Sequence, residues 1–96
     1  MTYAELCEAL KVFGLAERAT LKQIKQRHRE LVRAHHPDHH AEVDAARMAR
    51  INAAYAVLSA YCSAYRFDFS RNEFLEQNPE ERLRSQFASD PVWGGE

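Results

Sequence analysis

All five histidines of the chain fall at positions 28, 35, 36, 39 and 40, and Asp38 stands among the last four. Imidazole is the commonest nitrogen ligand for zinc or nickel, and a histidine beside a carboxylate is a familiar acid–base pair. The spacing favours neither chemistry. Adjacent histidines rarely aim at one ion, and no cysteine or regular helical spacing joins them. His36 and Asp38 lie too close together on a turn to orient each other around a nucleophile, and no glycine-rich loop is present to cradle a phosphate. No metal, cofactor or catalytic residue is therefore assigned, and the chain is not expected to be an enzyme. What the turn can do is recognition. Pro37 fixes its backbone, and Asp38 can accept a charge-assisted, bidentate hydrogen bond from a partner arginine.

The elements on either side must hold that turn in place. Upstream, Leu21, Ile24, His28, Leu31 and His35 recur at the three/four spacing of one helix face. Downstream, Met48, Ile51, Tyr55, Leu58 and Tyr65 do the same. Lys22, Lys25, Arg29 and Arg33 share a second face of the upstream helix, largely opposite Leu21, Ile24 and Leu31. A solvated surface is the ordinary meaning of such a charge run. Its position, leading directly into the turn, makes it a candidate for an acidic partner surface. The formal net charge of -1 hides this local bias, because acids outnumber bases from Asp68 onward.

Thr2 with Glu5 has the form of a capping box, so a first helix is expected from Tyr3, with Leu6, Leu10 and Phe13 as its apolar stripe. Gly14 is placed to end it in the left-handed conformation. Thr20 with Gln23 repeats the box and opens a second helix running to about Ala34. Pro37 pushes His36 out of the helical region, so the chain turns there. A third, alanine-rich helix is expected from near Glu42 to beyond Tyr61. Ser70 with Glu73 caps a short fourth helix. Asn78-Pro79-Glu80-Glu81 starts another, with Leu83 and Phe87 as a narrow stripe.

Ninety-six residues with three glycines and three prolines suit a small all-helical domain, too short for most enzymes with enclosed sites. No apolar run approaches the ~20 residues that cross a bilayer, and no secretory signal is visible. Cys7 and Cys62, in no metal or redox spacing, read as small core residues of a reduced, cytoplasmic protein. A nucleic-acid partner is not expected. The positive charge lies on the first helix of the hairpin, and the turn is about twice the three or four residues of a helix-turn-helix. Tyr55, Tyr61, Tyr65, Phe67 and Phe69 read as core and edge packing rather than as a base-stacking platform.

The segment from Ile24 to Asp38, ending in His36-Pro37-Asp38, resembles helix II and the loop of a J-domain, the module of DnaJ-type co-chaperones. Ile51-Asn52-Ala53-Ala54-Tyr55-Ala56-Val57-Leu58-Ser59 resembles the family's third helix, and Phe67-Asp68 takes the place of a closing Tyr-Asp. His28 stands where an aromatic is common, and Tyr61-Cys62-Ser63-Ala64 replaces a basic fourth-helix motif. The resemblance implies a J-domain over residues 1–68, with an antiparallel hairpin of helices II and III and a short first helix, followed by a helical extension over 69–96. It implies binding to a DnaK-type heat-shock ATPase and stimulation of its ATP hydrolysis, by a monomer, without membrane or nucleic acid. His36, Pro37 and Asp38 match the family's indispensable triplet. Lys22, Lys25, Arg29 and Arg33 fall on its basic helix II surface. The competing reading is a J-like scaffold serving a different protein partner, which has no physical need for that aspartate.

Overall fold

A computed structural model of the chain describes residues 1–35 and 41–89. The described residues form helices and no strands: α1 Tyr3–Phe13, α2 Leu21–Ala34, α3 Ala41–Ala64, α4 Arg71–Gln77 and α5 Pro79–Ser89. The all-helical, J-domain-like class expected from the sequence is the one observed.

Local chemistry sets most of these boundaries. At the start of α1 the Glu5 backbone N–H donates to Thr2 Oγ1 at 3.2 Å, and the Thr2 N–H donates to Glu5 Oε1 at 3.0 Å. Two orphan donors are thereby satisfied reciprocally. The same Thr2 backbone N–H holds the Glu5 carboxyl below its ordinary range. Gly14, at φ 65, ends the helix. Its N–H donates to the Lys11 carbonyl and that of Leu15 to the Leu10 carbonyl, the paired bonds of a Schellman motif. α2 opens on a second capping box, in which Gln23 N–H donates to Thr20 Oγ1 at 3.1 Å and Thr20 N–H to Gln23 Oε1 at 2.7 Å.

The chain divides into two compact units, Met1–Tyr65 and Arg66–Glu96. In the first, α1 and α2 both pack on α3 and on each other. The core is Ala9, Phe13, Ile24, Ile51, Ala54 and Leu58, with Leu6, Leu10, Leu31, Met48, Tyr55 and Cys62 partly buried against it. The helical stripes hold in their middles and fail at their ends. Leu21 and Tyr65 are 48% and 54% exposed, the first at the start of α2 and the second just past the end of α3. Tyr61, Phe67 and Phe69 are likewise exposed, so of the aromatic group assigned to packing only Tyr55 reaches the core. Cys7 is half-buried, and Cys62 packs against the core as expected.

The second unit is a small hairpin of α4 and α5. Glu73 N–H donates to the Ser70 hydroxyl at the start of α4. Asn78 closes that helix, donating from its side chain to the Phe74 carbonyl at 2.8 Å, and its own carbonyl accepts from Glu81 and Arg82 to begin α5. Ion pairs Arg82–Glu76 and Arg84–Glu81 and the Arg71–Ser85 hydrogen bond lace its surface. Phe74, Leu83 and Phe87 remain exposed.

Candidate functional site

α2 carries the described part of the site, and its register decides what it presents. With about 100° between successive residues, Lys22, Lys25, Arg29 and Arg33 fall within one narrow arc. Ile24, buried, and His28 and Leu31, partly buried, occupy the other side against α1 and α3. All four cations are exposed. None makes an ion pair with a carboxylate among the described residues. The four sequence-assigned cations are thus brought together as one positive face, unpaired among the described residues.

α2 ends at Ala34, with His35 as its C-cap. The His35 backbone N–H donates to the Leu31 carbonyl at 3.0 Å, and His35 itself has left helical geometry at φ -122, ψ 28. His36, Pro37 and Asp38, with His39 and His40, lie outside the described residues. Among the described residues no group of three His, Cys, Asp or Glu side chains gathers as metal ligands. No described helix is long and apolar enough to cross a membrane.

Two neighbouring residues hold α2 in this register. Arg27 lies two positions before Arg29 and therefore roughly opposite the basic face. Its Nε donates to the Phe13 carbonyl at 2.8 Å, and its Nη1 reaches Glu30 Oε1 at 3.1 Å. One of the orphan carbonyls at the end of α1 is thereby capped from α2. The His28 ring lies 3.9 Å from that of Tyr55 with planes 5° apart. Phe13 lies parallel to both, at 6.1 and 6.3 Å. Sequence pattern alone gave Arg27 no role. Its displacement from the stripe was the one available signal that it serves another purpose.

Replacing Arg27 by methionine keeps the aliphatic stem but leaves the Phe13 carbonyl without its donor. Urea denaturation should report a loss of about 1–3 kcal/mol, the range for an unsatisfied, partly buried acceptor. An unchanged midpoint would mean that water satisfies the carbonyl and that Arg27 fixes nothing.

A family model described as the DnaJ domain matches residues 8–68. That stretch takes in most of α1, the basic helix, the turn and all of α3. No solved structure matches the chain significantly.

Proposed function

The chain belongs to the DnaJ-domain family, and from that membership we propose that it is a co-chaperone that binds a DnaK-type heat-shock ATPase and stimulates its ATP hydrolysis. The observation that carries the proposal is the positive face of α2, unpaired among the described residues, on the helix that directly precedes His36-Pro37-Asp38 in the sequence. Lys22, Lys25, Arg29 and Arg33 meet an acidic patch on the ATPase. Asp38 accepts a bidentate hydrogen bond from a partner arginine, and Pro37 lowers the ordering cost of the turn. His36 contacts the partner or orients the loop. The protein itself makes and breaks no bond, and it acts as a monomer in the cytoplasm.

Exposed charges interact over a Debye length of ~8–10 Å, so the α2 face governs encounter and orientation more than final affinity. Reversing Lys25 and Arg29 to glutamate together should therefore weaken chaperone binding, by a factor that shrinks as salt is raised. Folding should survive, since exposed substitutions usually change stability by no more than ~0.5 kcal/mol. Binding that ignored both salt and reversal would reduce the face to a solvated surface.

The decisive measurement is steady-state ATP hydrolysis by a DnaK-type chaperone with and without the full chain. Stimulation that saturates with added protein is the expected result. A flat response at saturating concentration would leave only a J-like scaffold for another partner.

A further inference from the structure

Across α2 from the basic face, the three helices of the first unit border a groove of about 300 Å³, lined by Val12, Leu31, His35, Arg47, Arg50 and Ile51. Leu31 and His35 are each two positions from a stripe residue, Arg29 and Arg33, and so lie roughly on the opposite side of the helix. The groove therefore lies on a different side of α2 from the basic face. Its floor is aliphatic. Ile51 is 4% exposed, and Val12 and Leu31 are partly buried beside it. Arg47 stands four positions before Ile51, on the same face of α3, and Arg50, three after Arg47 and about 100° round the helix from Ile51, stands at the edge of that face.

Like Arg29 and Arg33, these two arginines stand apart from the paired ones. Arg27, Arg82 and Arg84 pair with Glu30, Glu76 and Glu81. Arg47 and Arg50 are exposed and pair with no carboxylate among the described residues. Two planar, permanently charged forks on successive turns thus flank an apolar floor whose solvent-facing part, Val12 and Leu31, water covers at a free-energy cost.

We propose that this groove docks an acidic peptide segment of a protein partner, which lays an aliphatic side chain on Val12 and Leu31, beside the buried Ile51, and gives carboxylates to Arg47 and Arg50. Charge complementarity fixes the sign of the ligand, and the floor fixes its class. A phosphate-bearing ligand has no use for three aliphatic side chains, whereas a leucine among glutamates matches both features. Guanidinium groups also meet carboxylates bidentately, which supplies orientation as well as attraction. The volume is small for a drug-sized ligand and sufficient for one side chain with its flanking groups.

The test is fluorescence anisotropy of a labelled octapeptide repeating two glutamates and one leucine, titrated with the full chain. Saturable binding is expected, and Arg50→Glu should weaken it by about tenfold or more, roughly one lost charge-assisted contact. The same peptide with serine for leucine should bind more weakly to the parent protein. Reversal of Lys25 and Arg29 should leave much of the peptide binding intact. Arg50→Glu should in turn leave ATPase stimulation intact, so failure here is distinguishable from failure of the co-chaperone reading. Three outcomes would overturn the proposal. They are peptide binding indifferent to Arg50→Glu, equal binding of the serine peptide, and capture of phosphatidylglycerol vesicles through Arg50 without any binding of the peptide.

Discussion

Asp38→Asn should abolish stimulation of a DnaK-type ATPase while leaving the chain folded. Asparagine keeps the size of aspartate and most of its capacity to form turns, and it removes only the negative charge. If Asp38 pairs with an arginine at a dehydrated contact, truncating that pair costs ~2–5 kcal/mol of productive interaction. At about 1.4 kcal/mol per tenfold, even the lower figure removes stimulation at ordinary concentrations. The fold has no comparable stake in the residue. The core of Ala9, Phe13, Ile24, Ile51, Ala54 and Leu58 lies outside the turn, and α2 closes on its own His35–Leu31 bond. Circular dichroism and thermal melting should therefore coincide with the parent. His36→Gln is expected to behave likewise in both assays. A folded Asp38→Asn protein that stimulated hydrolysis normally would refute the proposed mechanism, whatever the fold.

The helix ends were legible in the sequence because their causes are local. Thr2 with Glu5, Thr20 with Gln23, Ser70 with Glu73, and Gly14 act within three or four residues of themselves, so pattern alone suffices. The basic face was legible for the same reason, since spacing on one helix determines it. What escaped depends on residues distant in the chain. Arg27 caps Phe13, fourteen positions away, and the groove needs side chains from three helices at once. α3 was ambiguous in a different way. Alanines surround it on every side, so period could not tell that Ala54 is buried while Ala53 and Ala56 are exposed. At the terminal positions Leu21 and Tyr65 the period continued although both residues are exposed.

The largest loss of stability should follow Phe13→Ala. Phe13 is the last residue of α1 and is 0% exposed. Its ring lies parallel to His28 and Tyr55, joining α1 to both long helices. Removing a buried phenylalanine ring costs ~3–5 kcal/mol, because the surroundings collapse only partly into the cavity. Small domains hold only ~5–15 kcal/mol in total, so urea or thermal melting should show a severely weakened or unfolded protein. ATPase stimulation should fall with it, through loss of the helix that presents the basic face. His28→Phe supplies the opposite sign. The His28 Nε2 is buried and has no hydrogen-bond partner among the described residues. Phenylalanine keeps a flat ring against Tyr55 and removes that unsatisfied nitrogen, so stability should rise by up to about 1–3 kcal/mol. Stimulation should be retained at moderate temperature, since neither the basic face nor the turn is touched. A near-neutral Phe13→Ala would mean that the three-ring stack does not organise the core. A destabilising His28→Phe would mean that the imidazole nitrogen is satisfied by solvent, and that the ring is held there for its polarity rather than its shape.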